Sequence, residues 1–478
     1  MKLQRMTRPL SSALAAIALV SRVSVSQTPT VPARPTPGPI KGFVFPKITT
    51  LTLSNGLQLA VVENHELPIV AVRVGFLGSA FLDPPGKEGA WVLMMSAMRE
   101  GTSSRSASAI SDAAADLGTT ILSSSPVVSL ASMSFTTVTS AWRPALDLLA
   151  DIVIHPSFPV NGLKRLQGVQ AASARPAPGP LAFRILSTKL FGSDHPYARF
   201  PIDSSVRRIT RDDLIALHTM YLRPQNSVVV VAGDITPAKA RAEVEKAFGS
   251  WERAASSIAS KYLVPSAQPT PTTIYLQDLP GSTQSFIYSG QIAPSRGSVD
   301  AAAVEAVDAI LGGNSAGSRL YDAFRTTHGL SYNPATSIQW RPEPQAATWS
   351  SVTTVPAGKT DTAVMELVRV VRETRGDRPL TASELDFSRK NLVRNLPAQL
   401  ETVDALATRT LIVLQNRLPV AFYNDYVTRM NSLTLADVQS AARKYLDPDH
   451  LVIAIVGDRA KLEAPLRATG IPVVIVDH

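Results

Sequence analysis

Apolar and polar residues alternate along Leu51–Val62 on either side of Asn55-Gly56. Successive side chains of a strand face opposite ways, and Asn-Gly tolerates the positive φ of a tight turn, so the pattern predicts a hairpin. Pro68–Phe76 and Val127–Thr137 predict further strands. The apolar period lengthens to that of a helix at Ala90–Arg99, Ser106–Leu117, Arg143–Ile154, Gly162–Ser173 and Arg211–Tyr221. Strands return near Thr273–Leu276 and Ser285–Gly290.

A repeat organises these elements. Thr210–Asp234 and Thr434–Asp458 align without a gap, with identical residues at Thr210/Thr434, Asp213/Asp437, Tyr221/Tyr445, Pro224/Pro448, Gly233/Gly457 and Asp234/Asp458. Thr-x-x-Asp predicts a capping box with Asp at the usual Glu/Gln position, and a helix follows it. Proline stops that helix, and a wholly apolar strand (Val228–Ala232, Val452–Val456) runs to Gly-Asp. So wide an offset fits duplicated domains rather than a solenoid. Hairpins followed by helix runs in each half predict an α+β fold of two homologous domains. Each is expected to be an antiparallel-rich sheet with helices packed on one face. The expected boundaries are a signal peptide at 1–26, a proline-rich leader at 27–44, a first domain at 45–253, a linker at 254–272 and a second domain at 273–478.

The 478 residues suffice for such domains to bury their own cores, and 45% apolar with 18% charged residues is an ordinary globular composition. The absence of cysteine removes disulfides, thiolate metal sites and a cysteine nucleophile. A net charge of +9 comes from scattered basic residues without a Lys/Arg-rich run, which gives no nucleic-acid footprint. Lys2, Arg5 and Arg8 precede the apolar stretch Leu10–Val20 and the small residues Ser24-Val25-Ser26, the layout of an export signal. Export to the periplasm or beyond is therefore expected. No later segment offers about 18 consecutive apolar residues, so no membrane span is expected after signal removal.

Chemistry centres on Gly89–Thr102, which reads Gly-Ala-Trp-Val-Leu-Met-Met-Ser-Ala-Met-Arg-Glu-Gly-Thr. As local physics this is a buried helix. Its flanks resemble the zinc helix of the insulinase / pitrilysin / mitochondrial processing peptidase family, Gly-x-Ala-His-x-x-Glu-His-Met-x-x-x-Gly-Thr. Anchored on Gly89 and Gly101-Thr102, the resemblance puts the zinc histidines at Val92 and Ser96 and the general-base glutamate at Met95. Zinc needs imidazole, thiolate or carboxylate donors, and an inverted H-x-x-E-H helix sets two of them one turn apart beside a base. Valine and methionine cannot act so, and serine does so poorly. The family's third ligand, a glutamate on a later helix, falls near Ala171–Ser173, and no glutamate occurs between Glu100 and Glu243. Pro156-Ser-Phe158, His195-Pro-Tyr197 and Tyr221…Gly233-Asp234 follow in the family's order.

In the second half, Ser318-Arg-Leu320, Phe324-Arg325 and Gly329-Leu-Ser-Tyr332 resemble the family segment whose arginine and tyrosine face the zinc. The resemblance assigns that pair to Arg319 and Tyr332, both expected outside the core. A tyrosine hydroxyl can donate to the oxyanion of peptide hydrolysis, and a guanidinium can hold carbonyls or a carboxylate. The residues alone equally allow Arg319 to cap a helix and Tyr332 to pack with its hydroxyl at a surface. The glycine loop Gly312–Gly317 lacks the Lys-Ser/Thr of a phosphate loop. His65, His155, His195 and His218 are lone histidines without metal-ligand spacing.

The resemblance thus implies a clamshell half that carries no cofactor of its own. It would be a non-zinc companion in an exported heterodimeric metallopeptidase, inactive alone, giving Arg319 and Tyr332 to a zinc-bearing homologous subunit and its peptide substrate. The alternative is a structural or peptide-binding protein with no role in catalysis.

Overall fold

The computed structural model describes residues 44–125, 130–174, 176–253, 270–313 and 316–477. The expected signal peptide, nearly all of the leader, most of the linker, the start of the strand expected at Val127 and the centre of the glycine loop lie outside them.

The Asn55-Gly56 hairpin forms as its pattern predicts. β1 (Ile48–Thr52) and β2 (Gln58–Glu63) pair antiparallel with Leu51 opposite Leu59. Gly56 takes φ +86°, and the buried Asn55 amide donates to Phe248 O at 2.8 Å, tying the turn to the end of the half. With β3 (Ile69–Phe76), β4 (Leu122–Ser124), β5 (Ser132–Val138) and β6 (Ser227–Gly233) they make a six-stranded sheet of order β1-β2-β6-β3-β5-β4. The second half supplies β7 (Thr273–Asp278), β8 (Gln284–Ala293), β9 (Ala335–Gln339), β10 (Ala347–Pro356), β11 (Val452–Gly457) and β12 (Val473–Val476), in the order β12-β7-β11-β8-β10-β9. Five positions correspond between the sheets. The remaining edge is filled from opposite ends of the chain, by β1 in one half and β12 in the other.

The repeated segment lies at the heart of each sheet. β6 and β11 are buried throughout, each parallel to one neighbour and antiparallel to the other. The preceding helices, Arg211–Tyr221 and Leu435–Tyr445, begin with the predicted boxes: Thr210 N donates to Asp213 Oδ2 at 2.7 Å and Thr434 N to Asp437 Oδ2 at 2.9 Å. Gly233 ends β6 with φ +122°, and a Cβ there would stand 2.1 Å from Ile69 O, so no other residue fits.

Each sheet carries helices of its own half on one face, and the opposite face is closed by the other half. Ala60, Val62, Ala71, Val228, Val230 and Ala232 pack under Val403, Leu406, Ala407 and Leu411 of the Val403–Gln415 helix. Reciprocally, Ala182, Ile185 and Leu186 of the Pro178–Phe191 helix cover Val452, Ala454 and Val456. Arg73 holds Asp404 with both carboxylate oxygens (2.8 and 2.7 Å), and the buried Gln415 amide donates to Phe76 O and Ala131 O, both at 3.0 Å. This exchange explains why the central strands are apolar on both faces. The described residues accordingly belong to one compact unit.

A fragment of residues 44–253 would leave one such face in water, an apolar patch of the kind that drives aggregation. We expect it to be insoluble or to lack fixed near-ultraviolet circular dichroism, and co-expression with residues 270–477 to rescue it. A lone fragment that melts cooperatively would contradict this.

Candidate functional site

The helix of the altered zinc motif runs Ala90–Ala97 and passes into a tighter turn at Met98–Glu100. Its start is over-determined. Gly89 has φ +104°, and a Cβ there would meet Gln170 Nε2 at 2.6 Å. Asp83, itself buried, accepts from Gly89 N and Trp91 N, both at 2.7 Å, so a carboxylate satisfies two of the helix's first donors. Burial pushes the Asp83 carboxyl up to about 7, although these N–H groups and Arg199 pull it down.

Met95 is completely buried, whereas Val92 and Ser96 are half-buried, one turn apart on one face. The family's ligand-bearing face therefore still opens outward. The Val160–Ser173 helix packs against the Ala90–Ala97 helix, joined to its start by Gln170 Nε2 donating to Gly89 O at 3.1 Å. On that helix Ala171 is buried while Ala172 and Ser173 are exposed, and Ser173 Oγ is turned back to Val169 O at 3.0 Å. The nearest glutamate in sequence, Glu100, pairs with Arg165 and lies against Gly162. Among the described residues, no group of three or more His, Asp or Glu side chains is placed to hold a metal ion.

The flanking signatures are braces. Thr102 Oγ1 donates to Asp151 Oδ2 at 2.8 Å, Ser157 N donates to Gly101 O at 2.9 Å, and Thr102 bridges to Pro156. Arg211 then holds Ser157 O and Phe158 O (2.9 and 3.0 Å). His195 Nδ1 accepts from Tyr197 N at 3.1 Å, and the Tyr197 ring lies 4.5 Å from the guanidinium of Arg341, which is only 2% exposed. Burial lowers Arg341 to about 10, so this loop closes a buried cation from the second half under the rings of Tyr197 and Phe191. The other histidines have local partners too: His65 meets Asp234, His155 lies by Asp151, and His218 meets Val153 O. His218 is half-buried, and burial lowers its pKa.

Arg319 and Tyr332 do not come together. Against the expectation that both lie outside the core, Arg319 is 8% exposed. Its Nε and Nη2 grip Glu384 at 2.7 and 2.9 Å, Nη1 reaches Thr374 Oγ1 (3.2 Å) and Arg378 O (2.6 Å), and Nη2 also meets Pro379 O (3.1 Å). A guanidinium has five N–H donors, and these bonds use all of them. Burial raises the Glu384 carboxyl, but Arg319 and Thr381 outweigh it and hold the group below its usual range.

Tyr332 is 77% exposed, just beyond a wide π-helical turn at Asp322–Thr327. The arginine beside it is Arg325, whose guanidinium lies 3.9 Å from the Tyr332 ring and 5.1 Å from that of Tyr321. Sequence reasoning passed over Arg325. The signal was its position in the same segment, seven residues before the tyrosine, on the half-buried rather than the buried face of the turn.

A second acid, half-buried, lies at the foot of the glycine loop. Asp308 Oδ1 accepts from Trp349 Nε1 at 3.0 Å, and burial pushes its carboxyl up to about 7. A raised carboxyl stabilises the fold fully below its unfolded value of 3.8 and loses that contribution as pH rises towards 7. Asp308→Asn keeps the acceptor without the charge. Its stability relative to the parent should therefore rise between pH 4 and 8, by on the order of 2 kcal/mol. Urea melts at both pH values would show it, and a constant difference would contradict it.

Comparison with known proteins places this geometry. Residues 208–392 match the family model described as the peptidase M16 inactive domain. The chain is 22% identical over 413 residues to a non-peptidase homologue, YmxG, of Helicobacter pylori, covering 84% of this chain and 91% of that protein. It is also 22% identical over 423 residues to an uncharacterised zinc protease, YmxG, of Bacillus subtilis, covering 85% and 98%. The crystal structure of a peptidase M16 inactive domain from Pseudomonas fluorescens superposes with a TM-score of 0.78 at 24% identity, covering 86% of this chain and 98% of that one.

Proposed function

We propose that this chain, a member of the M16 peptidase family, is the non-zinc companion of a zinc-bearing homologous subunit. It is exported, lines a peptide-holding chamber and offers Tyr332 to the partner's reaction. The observation that carries the reading is Tyr332 itself, exposed just after the buried Leu330 with its ring held by Arg325. A tyrosine kept only for packing would bury that ring. A hydroxyl presented in this way can donate to the oxyanion formed when a partner's zinc-activated water attacks a peptide carbonyl. Arg325, braced by two rings, is placed to hold a substrate carbonyl or carboxylate nearby.

The second reading, a structural or peptide-binding protein, is favoured by Arg319, whose donors are all spent inside the chain. Affinity purification from the native host, followed by metal analysis of the isolated chain and of its complex, separates the two readings. The companion reading expects an M16 homologue with an intact His-x-x-Glu-His helix to co-purify and to carry all the zinc. Recovery of the chain without any such homologue would favour the structural reading.

A further inference from the structure

A small cavity of ≈ 190 Å³ opens in the second half, between the loop after β8 and the Phe422–Ser432 helix. Drug-sized ligands occupy cavities of roughly 300–1,000 Å³, so its occupant is smaller than those. Its walls are Trp340 and Phe422, and its polar groups are Arg296, Glu305, Tyr426 and Arg429.

Among the described residues, neither Arg296 nor Glu305 touches a group of opposite charge. The Arg296 guanidinium rests 5.0 Å from the Phe422 ring and 5.9 Å from that of Trp340. Among the described residues it makes no hydrogen bond or ion pair. Glu305 lies on the Ala301–Leu311 helix and accepts from Tyr426 Oη at 3.2 Å, but it too has no ion-pair partner. Burial raises the Glu305 carboxyl, while Arg296 first, then the Tyr426 hydrogen bond, Arg429 and Arg409 draw it back down. The two therefore sense each other across the cavity without touching. Arg429 stacks on the same Phe422 ring at 4.6 Å but already donates to Phe422 O at 3.2 Å. Glu343 is occupied by Gly297 N.

A half-buried guanidinium without a hydrogen-bond acceptor and a carboxylate without a contacting cation, in one small space, call for a ligand carrying both opposite charges. We propose that this cavity binds a free α-amino acid as its zwitterion, with the carboxylate on Arg296 and the ammonium on Glu305. The aromatic walls would take an apolar side chain.

The test is isothermal titration of the purified chain with glycine, L-alanine, L-leucine and L-phenylalanine, alongside N-acetyl-L-leucine, L-leucinamide and inorganic phosphate. Saturable binding of at least one free amino acid is expected. Each blocked leucine should bind at least about tenfold more weakly than leucine, because either charged contact alone is worth that much. Arg296→Gln and Glu305→Gln should each weaken binding at least about tenfold. Arg296→Gln should stay folded with at most a small loss of melting temperature, since that side chain makes only ring contacts with Phe422 and Trp340 in the free protein. Should Glu305→Gln fail to fold, the blocked leucines and Arg296→Gln still decide. Two results would overturn the proposal: no saturable binding of any free amino acid at millimolar concentration, or equal binding of leucine and N-acetyl-L-leucine, which would mark a site for anions only.

Discussion

Tyr332→Phe, assembled with a zinc-bearing partner, is expected to lower peptide turnover by ~10²–10³ without loosening the complex, the usual effect of removing one oxyanion donor. The substitution removes a hydroxyl that stands clear of the chain, so the parent's melting temperature should be kept. Arg325 supports that ring from the side at 3.9 Å, and Arg325→Gln should lower turnover less, by freeing the ring rather than deleting the donor. The readouts are the rate of peptide cleavage and, separately, co-elution of the two subunits. Unchanged cleavage by an intact Tyr332→Phe complex would make the tyrosine a relic and favour the structural reading.

Arg319→Ala should do the opposite, damaging the fold rather than the chemistry. Removing it leaves the Glu384 carboxylate without its cation and the carbonyls of Arg378 and Pro379 without their donor. Loss of one partner of a buried pair costs about 3–5 kcal/mol, and the lower end applies here because Glu384 is 22% exposed. The carboxyl is held below its usual range, so its contribution is present above the unfolded value of 4.5 and disappears as pH falls through the folded one. The loss in Arg319→Ala should therefore be largest near neutrality and shrink in acid. Urea denaturation at neutral and acid pH would measure it, and a stable variant at neutral pH would show that the buried contacts matter little.

Elements whose cause is local were legible in the sequence. The Asn55-Gly56 turn, the two Thr-x-x-Asp boxes and the apolar β6 and β11 all formed where their residues indicated. The Pro178–Phe191 helix was not read, because Pro178-Gly179-Pro180 resembles a turn. Proline is nonetheless tolerated in a first helical turn, where N–H groups have no intrahelical acceptor. That this helix covers the other half's sheet depends on contacts more than 250 residues apart, such as Ala182 against Val452, which no local period records.

The same limit governed the site. Val92, Met95 and Ser96 were located by their flanks, but only the fold separates the buried Met95 from the half-buried Val92 and Ser96. Arg319 and Arg325 lie in one segment with the same chemistry. Glu384, 65 residues further on, decides which of them turns inward. Sequence therefore narrowed the choice to a segment, and tertiary partners selected the arginine beside Tyr332.

The central claim is that this chain lacks zinc chemistry of its own yet completes a partner's. The most direct measurement is cleavage of an unstructured peptide by the chain alone, by the zinc-bearing partner alone, and by the two mixed, with bound zinc determined in each. The account requires the isolated chain to hold no stoichiometric zinc and to cleave nothing, and the mixture to turn over far faster than the partner alone. Tightly held zinc in the isolated chain with chelator-sensitive cleavage, or a partner equally fast without it, would contradict the account.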